Sequence, residues 1–299
     1  MIKKYKNTVK SLVHLTGKLL GIGGLIFVMY TLSQEYTLSS FSSQFISILS
    51  LIPLLLIINI TSTLVGIYAW HKMLVHYAQK NFSYVASYYY FSKTEIAKYL
   101  PGNVFHFIGR QALASKLHIS QKEMAKTSLL FSFLLLTGTL LTSTFFAIIS
   151  GNIPIYILTF MGLSSIIVLI SLIYLYPSFP MRNKISMNLY LAMSVALQGI
   201  MLGLIVMYQS DDITLSLFFQ CVSIYTLSWL LGFVTPGASG GLGIREGTFI
   251  AITSYLHISI ASDIIIFSVL LVRLINICVD VLLYLLTYMF EKKMKELKL

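Results

Sequence analysis

Arg245 and Glu246 stand immediately after Gly240-Gly241-Leu242-Gly243, within a stretch otherwise free of charge. A glycine-rich loop that opens a helix leaves backbone N–H groups free at the positive end of the helix dipole, and such a site attracts anions. A guanidinium beside it adds a planar two-point grip suited to phosphate. The chemistry indicated is anion binding at a helix start. The same residues also allow a structural use, in which Arg245 pairs with Glu246 or Asp280 and fastens the fold.

Two further groups belong with this one. Arg110 follows His106 by four residues, so the two share a helical face. Arg273, Asn276 and Asp280 fall at i, i+3 and i+7, hence on one stripe, and lipid-facing placement of that stripe would be costly. Arg110 either joins the anion site or snorkels to an interface. Glu95 and Lys98, three apart, read as an interfacial pair that neutralises itself. Tyr88-Tyr89-Tyr90 with Phe91, and Trp70, read as interfacial aromatics. No nucleophile elbow, phosphate-binding P-loop, zinc-protease motif or paired Asp cluster is present, so no catalytic residue, metal ligand or cofactor is assigned. Cys221 and Cys278 lie in apolar segments as small hydrophobes, without metal or redox spacing.

The elements that must position these residues are helices in a membrane. The chain of 299 residues is 57% hydrophobic and 10% charged, against about a quarter charged in a typical soluble protein. Residues 127–181 and 213–244 contain no Asp, Glu, Lys or Arg. Uncharged runs of about 20 residues or more read as transmembrane helices. The predicted spans are 12–32, 45–69, 127–149, 154–176, 188–208 and 263–290. A basic start followed by the apolar run Leu19–Leu32 resembles a signal peptide, but it lacks a small-residue cleavage site and is expected to stay as an anchor.

The net charge of +11 does not point to nucleic acid, because the basic residues cluster at 1–18, 72–126, 182–184 and 292–298. The connections at 33–44, 150–153, 209–213 and 259–262 hold none. That asymmetry follows the positive-inside rule and predicts cytoplasmic N- and C-termini in the inner (cytoplasmic) membrane, with the basic side on anionic lipid.

Two apolar stretches are interrupted in the same way. Pro101-Gly102 precedes Arg110, and Pro236-Gly237 precedes Arg245, by nine residues from proline to arginine in each. Proline lacks a donor and glycine permits positive φ, so each pair should stop a helix and turn the chain. Paired interruptions in corresponding halves point to a transport site. The expectation is one all-α transmembrane domain over 1–299, made of halves 12–149 and 154–290. Each half has three spans and a re-entrant helical hairpin (84–118 and 214–258), giving six spans in an inverted repeat. The alternative lets 214–234 and 244–259 cross fully, for eight spans.

At these positions the chain resembles a known family. Lys98-Tyr99-Leu100-Pro101-Gly102 with Gly109-Arg110, and Pro236-Gly237 with Gly240-Gly241-Leu242-Gly243-Ile244-Arg245-Glu246-Gly247, are similar to the hallmark motifs of the lysylphosphatidylglycerol synthase transmembrane region, or flippase-like domain. Arg273 in Val272-Arg273-Leu274 matches an arginine of that family's last helix, while Asn103 stands where a glycine is frequent. The resemblance covers nearly the whole chain. It implies translocation of a lipid between leaflets, with membrane lipids, anionic or polyprenyl-linked, as partners and glycan-assembly enzymes as possible associates. Members that make aminoacyl lipid carry a large C-terminal soluble synthase domain. This chain ends at Leu299, so the expectation is translocation without aminoacyl transfer. The rival expectations are a polyprenyl-phosphate-dependent transferase and a non-transporting subunit of a glycan-assembly complex. The sequence assigns no oligomeric state.

Overall fold

A computed structural model of the chain describes residues 38–99, 105–114, 117–210, 214–235, 241, 243–258 and 260–296. Among them it forms ten α-helices and no strand. We number these α1 (Leu38–Ile48), α2 (Ile52–Ala78), α3 (Tyr84–Glu95), α4 (Phe105–Ala114), α5 (Gln121–Ser150), α6 (Ile155–Leu175), α7 (Met181–Gln209), α8 (Leu215–Val234), α9 (Ile244–Tyr255) and α10 (Ser262–Glu296). A short 3₁₀ turn, Ile96–Tyr99, continues α3. Six helices, α2, α5, α6, α7, α8 and α10, are long and apolar enough to cross a membrane. The chain is a multi-pass membrane protein.

Several boundaries differ from those read in the sequence, each for a local reason. The predicted span 45–69 is two helices. Proline cannot continue a helix but suits its first turn, so α1 stops at Ile48 and Pro53 sits at the start of α2. That helix then runs to Ala78, where Gln79 ends it in the left-handed region with φ 49°. Helix α5 begins earlier than predicted, because Ser120 and Glu123 form a reciprocal capping box. Helix α7 likewise begins at Met181 and carries Arg182 and Lys184 in its first turn. The predicted span 12–32 and the breaks Pro101, Gly102, Pro236 and Gly237 lie outside the described residues, as does Gly240.

The helices flanking each break fold back on one another. Arg110 on α4 reaches Glu95 and Phe91 on α3, and a Cβ at Gly109 would lie 3.2 Å from Thr94 Cγ2. On the other side Arg245 of α9 lies against Gly232 of α8, and Phe249 against Tyr225. Both are antiparallel helical hairpins, but of unequal length. With 12 and 10 residues, α3 and α4 extend only about 18 and 15 Å. Helix α8, with 20 residues, extends about 30 Å, whereas α9, with 12, extends about 18 Å. Of the two segments that the eight-span arrangement would send across, only the first has the length to do so.

The packing is crossed. Helix α3 lies on α10, α8 lies on α5, and α2 lies on α7. Polar side chains fix these contacts inside apolar surroundings. Ser62 and Ser194 each donate to the other's carbonyl oxygen at 2.8 Å, and Ser143 and Ser223 do the same at 2.8 and 2.9 Å. Glycines permit the close approach: a Cβ at Gly138 would lie 3.0 Å from the Ala192 nitrogen. Helix α6 is peripheral and presents Ile155, Phe160, Ile167 and Tyr174 outward.

The two ends of the bundle are tied separately. At one, Gln44 donates to Asp263 at 2.9 Å, Gln209 donates to the Gln44 carbonyl at 3.1 Å, and the Tyr156 and Tyr255 hydroxyls lie 3.0 Å apart. At the other, Lys80 donates to the His118 carbonyl at 2.8 Å and Lys93 faces Glu291 at 3.9 Å.

Tyr88, Tyr89, Tyr90, Phe91 and Trp70 are buried, correcting their assignment as interfacial aromatics. Helix α10 packs on α3 and its Phe290 meets Tyr88, while Trp70 and Phe91 pack on each other, and a buried tyrosine is tolerated when its hydroxyl finds a partner. The Tyr88 hydroxyl donates to the Leu283 carbonyl at 2.7 Å, and Lys93 donates to the Tyr89 hydroxyl at 2.6 Å. Cys221 is buried as expected, but Cys278 is exposed on the outer face of α10.

Candidate functional site

Residues flanking both breaks line one cavity of about 160 Å³, deep between α2, α7, α8, α10 and the two hairpins. A single water needs roughly 10–15 Å³ of such space, so the cavity has room for on the order of ten waters or one polar headgroup. It brings together His106, Arg110, Arg245, Glu246, Arg273, Asn276 and Asp280, all of which the sequence singled out. Glu95, Lys98 and Tyr99 join them from the first hairpin.

Helix geometry places each group. Asp280 is two turns beyond Arg273 on α10, so both face inward with Asn276 between them. Glu246 is the third residue of α9, from where its carboxylate accepts the Gly243 N–H at 2.8 Å while its other oxygen takes Arg273. Gly243, with φ 81°, adopts a backbone conformation suited to glycine, as does Gly241 with φ 73°. Glu246 therefore occupies the helix start that an anion would otherwise use.

The charges then sort into pairs, with one left over. Asp280 lies 2.7 Å from Lys98 Nζ and accepts the Tyr99 hydroxyl at 2.6 Å. Glu95 lies 2.7 Å from Arg110 and 3.4 Å from Lys98. Glu95 and Lys98 are thus not an isolated interfacial pair: they are the middle of a chain that ties the first hairpin to α10. Arg110 does not snorkel. It is 2% exposed, with Phe91 4.3 Å and Phe131 5.5 Å from its guanidinium carbon. Four cations (Lys98, Arg110, Arg245 and Arg273) meet three carboxylates (Glu95, Glu246 and Asp280) in this cavity.

Arg245 is the remaining cation. Neither Glu246 nor Asp280 pairs with it, and it makes no salt bridge among the described residues. Its Nε is buried without a hydrogen-bond partner. The side chain is nevertheless held in place. Its stem passes between Gly232 and Gly241, where any Cβ would collide with it, and its guanidinium carbon lies 5.0 Å from the Trp229 ring. Trp229 in turn stacks on Phe233 at 5.3 Å. The result is a guanidinium of fixed position facing a polar cavity with no counter-charge.

Sequence reasoning missed the opposite wall. Ser62, Thr63 and Gly66 on α2, with Ser194 and Gln198 on α7, line the cavity. Gln198 donates to Ser62 Oγ at 3.1 Å, and its Oε1 is buried without a partner. Asn59 donates to Asn276 at 2.6 Å. The signal was present: Asn59, Ser62, Thr63 and Gly66 recur at i, i+3, i+4 and i+7 inside an apolar helix. Trp229, Gly232 and Phe233 carry the same spacing on α8. No group of three or more metal-ligating side chains occurs among the described residues.

No protein-family model matches this chain, and no curated protein does.

Proposed function

We propose that the chain is a membrane lipid transporter that moves an amphiphile with an anionic headgroup between leaflets. Arg245 carries this reading, as a positioned guanidinium that makes no salt bridge among the described residues, in a cavity whose other charges are paired. A half-buried cation without an ion-pair partner is costly in apolar surroundings, and a substrate anion would supply the missing charge. The headgroup enters the cavity, where Arg245 grips its phosphate, while the acyl or polyprenyl tails stay in the bilayer. The limited volume fits this division.

The transport reading takes both hairpins as re-entrant and the halves as an inverted repeat. The crossed packing supports it. Under a twofold relation α2 and α7 are equivalent and pack on each other, and α3 on α10 corresponds to α8 on α5. The orientation follows charge: the end tied through Lys80 and Lys93 faces the cytoplasm of a cell's inner membrane. We place the chain beside the flippase-like domains it resembles.

The test is exchange of a tail-labelled fluorescent phosphatidylglycerol in sealed proteoliposomes, read by quenching of the outer leaflet. Wild-type protein should make the inner-leaflet pool accessible, and Arg245→Gln should slow this at least tenfold, about 1.4 kcal/mol. Equal exchange in protein-free vesicles, or an undiminished rate in Arg245→Gln, would sink the reading.

A further inference from the structure

Which headgroup the cavity takes follows from what is already satisfied inside it. Each carboxylate is engaged: Glu95 with Arg110 and Lys98, Asp280 with Lys98 and Tyr99, and Glu246 with Arg273 and the Gly243 N–H. Four other polar atoms of lining residues are buried without a hydrogen-bond partner: Arg110 Nε, His106 Nδ1, Arg245 Nε and Gln198 Oε1. Arg110 already has Glu95 through its Nη2, which leaves Arg245 as the cation without an ion pair and Gln198 Oε1 as the side-chain carbonyl without a donor. Gln198 is held by its bond to Ser62, which is itself locked to Ser194, so this acceptor cannot turn away cheaply. A buried polar atom left without a partner costs free energy that a ligand supplying the complement would recover.

Resting on the transport reading above, we infer that the cavity selects a phosphodiester monoanion with free hydroxyls, of the phosphoglycerol or sugar-phosphate type, and rejects cationic aminoacylated lipid. The phosphate answers Arg245, and a hydroxyl on the same headgroup donates to Gln198. One negative charge balances the single unpaired cation. A lysyl headgroup brings two ammonium groups with one phosphate, and thus a net positive charge, into a cavity that already holds four cations and no free carboxylate.

Three tail-labelled lipids separate these terms in the same proteoliposomes: phosphatidylglycerol, phosphatidylmethanol, which keeps the charge without hydroxyls, and lysylphosphatidylglycerol. Phosphatidylglycerol should exchange roughly tenfold faster than either of the others. Gln198→Leu should bring phosphatidylglycerol down to the rate of phosphatidylmethanol. Gln198→Glu, which retains an acceptor, should keep the hydroxyl preference and lower the rate for both anions, so a folding defect in the first variant does not decide the matter. Arg245-dependent exchange that is as fast or faster for the lysyl lipid, or equal for phosphatidylmethanol, would overturn this inference and leave the transport reading standing. No exchange of any lipid would overturn the transport reading itself. Stabilisation of the purified protein by free glycerol phosphate, absent in Arg245→Gln and unaccompanied by lipid exchange, would assign the cavity to a soluble phosphate and overturn both.

Discussion

At the scale of single residues, the two intramembrane arginines that look alike in sequence do different work. Arg110 is committed to Glu95 and caged by aromatic rings, so it holds the first hairpin together. Arg245 has a slot built by two glycines and a tryptophan but no counter-charge. That contrast predicts opposite consequences of neutralisation. Arg110→Gln should lower stability by about 3 kcal/mol, because it removes the closer of the two cations on Glu95 and leaves only Lys98, and thermal unfolding in detergent would register the loss. A methyl group tests the slot. Gly232→Ala should displace Arg245 and slow lipid exchange with little change in melting temperature, whereas Gly162→Val should do neither, having nothing within 4 Å. Gly243→Val should cost about 1–3 kcal/mol, since a β-branched residue would be forced to φ 81°. The chemistry-bearing residues were legible in the sequence because charge is so rare in this chain that every membrane-depth exception stands out. Their pairing was not legible. Glu246 is adjacent to Arg245 in sequence, but as third residue of its helix it turns back to cap Gly243 and takes Arg273 from α10.

Elements were legible where local rules dominate and illegible where burial depends on a distant partner. Uncharged runs located α6, α8 and the cores of α5 and α7, and the capping box of Ser120 and Glu123 then extended α5 into its polar flank. The tyrosine cluster of α3 had the composition of an interface, yet α10, almost 200 residues later, covers it and accepts its hydroxyl. The chain from Arg110 through Glu95 and Lys98 to Asp280 makes the same long connection with charge. Asp280→Asn should therefore destabilise the protein by about 3 kcal/mol, at the lower end for a broken buried pair because Lys98 is partly exposed. Adding Lys98→Met should recover much of that loss. A double-mutant cycle in thermal unfolding that showed simple additivity would mean that the pair does not couple the hairpin to α10.

For the whole molecule, the packing joins α2 to α7, α3 to α10 and α8 to α5, so residues from early and late in the chain share the walls of one cavity. Under the proposed inverted repeat, this packing would serve alternating access, in which one half rocks against the other around a central site. Its sidedness is testable with Cys221 and Cys278 replaced by serine. A cysteine at Ala261 should react with an impermeant reagent added to intact cells, and one at Asn183 only after permeabilisation. The reverse pattern would contradict the orientation read from charge. The central claim, that Arg245 holds a substrate anion, is tested most directly by comparing wild type, Arg245→Lys and Arg245→Gln for leaflet exchange of phosphatidylglycerol and for melting temperature in the same detergent. Lysine keeps the charge but loses the two-point fork, so the lysine variant should be slowed and the glutamine variant slowed further, both melting near wild type. Loss of exchange that instead tracks loss of folding, and is rescued by neutralising Glu246, would make Arg245 a structural cation and contradict the account.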